Sequence, residues 1–317
     1  MTAHRRTGLI AIGTAVLVLA TTLVGATPAQ AATWGQTGTT KIHFYGSSRN
    51  QVDTYSAKGI VRGSGAAVSL KWQYKAPYYV KQTLPKNSTI TLQRKVSSKW
   101  FTIKSIKPKK TSRQTITAEV PAYTVPAGVA SQTVQYRVKV RKSGKVVSGD
   151  TSTVIKIKYE NQAMYTGLAL TSYQAMAAYC PTASVRIDPT LASRDRAGEF
   201  NRLKGIFIDP SVATYTPEYL ASVALHECAH MHQFYNWGAS YVGDAKMRKS
   251  LAKTYVNDTN PDPAVPTPPV VGTFTPVEHS ADCASIAINP AGYLGYGGYC
   301  NPTELAAGVA LMQGQRI

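Results

Sequence analysis

Val223-Ala224-Leu225-His226-Glu227-Cys228-Ala229-His230 is the stretch on which the reading of this 317-residue chain turns. Two histidines four residues apart share one face of an α-helix, so their imidazole nitrogens can meet one metal ion. The pattern is H-E-x-x-H, with a carboxylate directly after the first histidine. Zinc in such a site acidifies water and polarises a carbonyl, and the neighbouring carboxylate takes the proton. His226 and His230 are therefore the candidate metal ligands, Glu227 the candidate general base and Zn2+ the expected cofactor.

The flanking residues predict the helix itself. Thr216 is a good N-cap, Pro217 suits the first helical position and Glu218 suits the positive end of the helix dipole. The helix is expected to run to about Tyr235, with Asn236-Trp237-Gly238 as its stop. Upstream, Gly205-Ile206-Phe207-Ile208-Asp209-Pro210 reads as a strand, expected to offer an edge to an extended substrate.

A catalytic zinc takes a third protein ligand and keeps one position open. Thr275-Pro276-Val277-Glu278-His279-Ser280-Ala281-Asp282-Cys283 supplies the candidates. Glu278 and Asp282 share a helix face at i, i+4, so Glu278 is expected on zinc and Asp282 behind a ligand histidine, fixing its tautomer. Two alternatives stand beside this. Thr275-x-x-Glu278 is also a capping box, and His279 or Asp282 could be the third ligand instead. Tyr293, Tyr296 and Tyr299, set among glycines, are candidates either for an oxyanion donor or for plain packing.

With both motifs read, the chain resembles the gluzincin metallopeptidases, and Glu278-x-x-Ala281-Asp282-Cys283 is similar to the E-x-x-A-D-C segment of bacterial neutral zinc metallopeptidases. The likeness covers two short helices. It departs at Ala229, where the family pattern has glycine. It implies His226, His230 and Glu278 as ligands, Glu227 as base, and a peptide or protein substrate in a zincin-like α+β domain over residues 165–317.

Charge divides the rest of the chain. Residues 32–160 carry 23 Lys and Arg against 4 Asp and Glu, whereas residues 161–317 carry 10 against 12, which predicts two domains with different tasks. In the basic segment apolar and polar residues alternate at period two: Val68, Leu70 and Trp72; Ile90 and Leu92; Tyr136, Val138 and Val140. Turn signals recur at Gly63-Ser64-Gly65, Ser97-Ser98-Lys99 and Lys142-Ser143-Gly144. Seven or eight short strands of this kind predict an all-β sandwich over 35–159, and Ile90–Arg94, Trp100–Ile103 and Tyr136–Val138 resemble immunoglobulin-like modules of secreted bacterial proteins. Its basicity, densest at Lys104, Lys107, Lys109 and Lys110, is either a solubility feature or an anchor to a polyanionic cell-wall polymer. Nucleic acid is not expected as a partner, because no reader fold accompanies the charge.

His4-Arg5-Arg6, the apolar run Leu9–Val24 and Ala29-Gln30-Ala31 read as a signal peptide over 1–31, making the protein secreted. The run of about 16 residues is short of the ~20 that a transmembrane anchor needs. Export permits disulfides among Cys180, Cys228, Cys283 and Cys300, whose three possible pairings the sequence leaves open. Asn257 to Pro269 reads as a Pro-rich connector and Leu305 to Met312 as a closing helix. With 44% apolar and 16% charged residues, disordered, collagen-like and solenoid classes are excluded. The expected architecture is an immunoglobulin-like sandwich followed by a metallopeptidase domain; the alternative is a cell-surface binding protein with a structural or inactive zinc site.

Overall fold

Period-two alternation turns Val68 and Leu70, Ile90 and Leu92, Val134, Tyr136 and Val138, and Ile155, Ile157 and Tyr159 to one side of their strands, and the computed structural model buries each of them. The structure describes residues 38–45, 49–53, 60–75, 89–106, 113–140, 150–151, 154–237, 241–255, 275–293, 295–296 and 299–317. The expected signal peptide, Lys107, Lys109, Lys110, the connector and the side chains of Trp72 and Val140 lie outside the described residues.

Among the described residues, ten strands build the first half: β1 (Gly38–Tyr45), β2 (Arg49–Asp53), β3 (Ile60–Gly63), β4 (Val68–Lys75), β5 (Ile90–Val96), β6 (Lys99–Ile106), β7 (Arg113–Val120), β8 (Ser131–Val140), β9 (Asp150–Thr151) and β10 (Ile155–Glu160). They form one sheet in the order β2-β1-β4-β7 and another in the order β3-β10-β8-β5-β6, with β9 beside β8. Val68, Leu70 and Val120 of the first sheet enter one core with Ile60, Leu92, Tyr136 and Ile157 of the second. Most pairs are antiparallel, but β1 with β4 and β3 with β10 are parallel.

The second half holds α1 (Gly167–Met176), β11 (Val185–Ile187), β12 (Gly198–Asn201), β13 (Gly205–Ile208), α2 (Pro217–Trp237), α3 (Tyr241–Thr254), α4 (Pro276–Ile288) and α5 (Pro302–Met312). The small sheet runs β11-β13-β12, so β13 is its centre and cannot offer the edge expected of it. Asn201 makes the difference: its side-chain oxygen accepts from the Leu203 and Lys204 amides, and this turn folds β12 back along β13. The edge near the histidines is β12.

Leu220, Ala224, Leu225, Cys228 and Ala229 of α2 pack with Ala281 and Ala284 of α4 and Leu311 of α5, and small residues at this contact let the helices approach closely. Two disulfides lock the arrangement. Cys180–Cys228 ties the loop after α1 to the middle of α2, and Cys283–Cys300 ties α4 to the approach to α5. Closing chain segments of 48 and 17 residues contributes about 3–4 kcal/mol each.

The halves meet through polar contacts. The Val61 and Gly63 amides donate to the Leu203 and Thr182 carbonyls at 2.7 and 3.0 Å. A side chain at Gly63 would strike the Gln162 amide and come within 2.8 Å of the Ala183 carbonyl oxygen, so glycine suits this approach. Glu160 accepts from Ser184 at 2.6 Å, Arg186 at 2.8 Å and Lys158 at 3.0 Å. Burial alone would raise its pKa, but these donors outweigh burial and hold it below the ordinary glutamate value. A depressed native pKa means stability that is present above the unfolded value and lost as pH falls through the native one. Glu160→Gln is therefore expected to cost about 1–3 kcal/mol at pH 7, with the gap closing towards pH 3 in paired urea melts. A gap that persists at pH 3 would assign the loss to shape rather than charge.

Candidate metal centre

α2 presents His226 and His230 one turn apart, and α4 crosses it with Glu278 and Asp282 on the facing side. The donor atoms of His226, His230 and Glu278 all lie within 4.8 Å of one another. Glu278 Oε2 is 3.2 Å from His226 Nε2 and 2.9 Å from His230 Nε2, and the two Nε2 atoms are 3.0 Å apart.

The far side of each ring fixes its tautomer. His226 Nδ1 meets Asp282 Oδ1 at 2.7 Å, and a carboxylate only accepts, so that nitrogen carries the hydrogen. His230 Nδ1 meets Gln233 Oε1 at 2.9 Å. The Gln233 amide is oriented by its other end, which donates to the Val277 carbonyl at 2.9 Å and to Ser280 Oγ at 2.6 Å. His230 Nδ1 is thus a donor as well. Both Nε2 atoms are left facing one carboxylate oxygen, and the trio takes a cation between them: a proton, which the raised His226 pKa favours, or a metal ion. Nitrogen and carboxylate donors in this number suit zinc, so the residues present fit the implied metal.

The electrostatics have the same origin. Burial would lower the His226 pKa, yet Asp282 and Glu278 outweigh it and raise it well above the ordinary value. Burial would raise Glu278, yet the two histidines hold it far below the carboxylate range. Glu227 is raised by burial first, with the charge of Glu278 adding to it and the histidines opposing. Its carboxylate takes a backbone hydrogen bond from Phe200 of β12 and is buried beneath that strand.

The sequence matches no protein-family model and no curated protein.

Of the expected residues, His226, Glu227, His230, Glu278 and Asp282 come together. The Thr275 hydroxyl does cap α4, accepting from the Glu278 amide at 3.3 Å, but the Glu278 carboxylate turns to the histidines instead of completing a capping box. His279 faces the other way, buried against Glu304 at 3.2 Å. Two further groupings of metal-binding residue types, Cys180-Cys228-His232 and His279-Cys283-Cys300, have their sulfurs committed to disulfides. Among the tyrosines, Tyr296 stacks on His226 with centroids 5.8 Å apart, while Tyr293 and Tyr299 are 61% and 44% exposed. Asp282 places Tyr296 too, accepting from its amide at 2.9 Å and from that of Gly295 at 3.1 Å.

Gln233 and β12 escaped the sequence reading. Gln233 had a usable signal, one turn beyond His230 on the same face. β12, Gly-Glu-Phe-Asn, had none, being short and polar. Its Gly198 leaves no room: a Cβ there would lie 2.8 Å from Glu227 Cγ and Oε1 and 3.0 Å from Val223. Any hydrolysis that depends on Glu227 should fall about 10²-fold in Gly198→Ala through displacement of that side chain, since a shift of ~1 Å is enough. Zinc titration should find affinity unchanged; loss of metal would place the damage in the ligands instead.

Proposed function

We propose that this chain is a secreted zinc metallopeptidase that hydrolyses peptide bonds, built as an immunoglobulin-like sandwich ahead of a zincin-like domain. The observation that carries it is the pair of imidazole Nε2 atoms, fixed from behind by Asp282 and Gln233, converging on Glu278 beside Glu227, a buried carboxylate held by the Phe200 amide. A site serving structure alone has no use for that fourth group. Two disulfides accord with export, and among the described residues no helix is long and apolar enough to cross a membrane.

His226, His230 and Glu278 would hold the ion, which when bound acidifies water and polarises the scissile carbonyl. Glu227 takes the proton from water and passes it to the departing amine; its raised pKa brings it nearer neutrality, where a base that must also act as an acid works best. The Tyr296 hydroxyl is pushed up to about 12 by burial and by the surrounding carboxylates, so it stays protonated and can donate to the developing oxyanion. The cleft, about 280 Å³, has an apolar wall of Phe200, Phe234, Met247 and Val277 that suits a substrate side chain.

Incubating the purified protein with a mixed peptide library, with zinc and after chelation, tests the reading by mass spectrometry. Cleavage that disappears on chelation and returns with zinc is expected; no cleavage by the folded, zinc-loaded protein would shift the reading to a binding protein with an inactive site.

A further inference from the structure

The cations of the first half play no part in the metal centre. β5 and β8 pair from Ile90–Val140 as far as Arg94–Tyr136. Beyond that register the strands part, and the fork holds a cavity of about 380 Å³ lined by Arg94, Lys95, Ser97, Tyr123, Gln132 and Thr133 among others, with no acidic side chain in its wall. Arg94 Nε is buried there and has no hydrogen-bond partner among the described residues. A buried guanidinium donor left unmatched is costly, and such groups ordinarily find an acceptor. The phenols of Tyr136 and Tyr159 beside it bring no negative charge, because burial pushes both hydroxyls up and keeps them protonated. Among the described residues, the cavity wall therefore supplies two cations and several neutral donors from different directions, and no anion.

Donors on several sides suit a tetrahedral oxyanion better than a planar carboxylate, and Arg is the residue that grips phosphate with two parallel hydrogen bonds. The outer face of the same sheet is basic as well, opposite the inner face that Arg94 shares with Tyr136. Gln135, which lines the cavity, is in register with exposed Lys156 of β10. Two residues further along β8, Arg137 lies over Trp100 at 4.1 Å, followed by exposed Lys139.

We propose that the β5–β8 fork binds one phosphate group of a linear, phosphate-bearing polyanion outside the cell. Arg94 clamps the phosphate from the inner side of the fork, Lys95 reaches it from the outer side, and Arg137, Lys139 and Lys156, on the same outer face as Lys95, meet successive phosphates. The site does not depend on the metal centre; its effect is to hold the second half of the protein at a phosphate-rich surface.

Binding of a fluorescently labelled long-chain inorganic polyphosphate to the full protein tests this, with Arg94→Gln, Lys95→Gln and, as a charge-matched control in α3, Lys253→Gln. Each pocket variant should weaken binding roughly tenfold, the loss of one charge-assisted hydrogen-bonding group, and make the salt dependence shallower by about one phosphate contact. Lys253→Gln should change neither. Lys95 is only partly buried, so an unchanged melting temperature for Lys95→Gln separates lost binding from lost folding. Equal weakening by all three variants would reduce the effect to diffuse charge and overturn the site. Tighter binding of heparin or single-stranded DNA, insensitive to Arg94→Gln, would overturn the assigned ligand.

Discussion

Glu227→Gln is expected to lower peptide hydrolysis by about 10²–10⁴-fold, the usual contribution of a general base, while zinc affinity and melting temperature stay near those of the parent. The substitution keeps the shape of a buried side chain, and its amide oxygen can still accept the Phe200 backbone hydrogen bond. What it removes is the proton acceptor. The parent's hydrolysis should fall at acid pH as Glu227 takes up a proton, because the base must be ionised; burial pushes this limb up and a bound cation would pull it down. The residual activity of the variant should lack that limb. Equal rates for parent and variant would remove Glu227 from the mechanism, whatever metal is bound.

The second large effect separates the ligands from their neighbours on α4. Glu278→Ala leaves two imidazoles without the oxygen on which both converge, so the variant should fail to retain zinc against a chelating dye. Asp282→Ala should weaken zinc about 10–100-fold, the typical cost of losing the group that orients a ligand histidine. His279→Ala should keep its zinc yet lose stability by about 1–3 kcal/mol, because the buried Glu304 would lose its His279 partner and keep only the Asn301 amide. Titration and thermal melts on the three variants thus sort one helix into metal-holding, metal-orienting and purely structural positions. Zinc retention by Glu278→Ala at parental affinity would overturn the ligand assignment.

Spacing alone made part of the site legible. Positions 226 and 230, and again 278 and 282, fall on single helix faces by the 3.6-residue period, and the caps Thr216 and Thr275 marked where both helices begin. Alternation at period two likewise marked the inward faces of β4, β5 and β8, because burial on one side of a strand leaves a local trace.

Long-range packing left no such trace. Whether Glu278, His279 or Asp282 turned to the histidines depended on how α4 lies across α2, which was decided by small residues at their contact and by the pairing of four cysteines in which three outcomes were open. The choice of Tyr296 over Tyr293 and Tyr299 came from two backbone amides on Asp282, and the edge strand over Glu227 came from a turn at Asn201. The sequence by itself determined which residue types sit on which face of each element, since that follows from local periodicity. Only the tertiary structure decided which faces meet, because that is settled by packing between segments far apart along the chain, 56 residues in the case of His226 and Asp282.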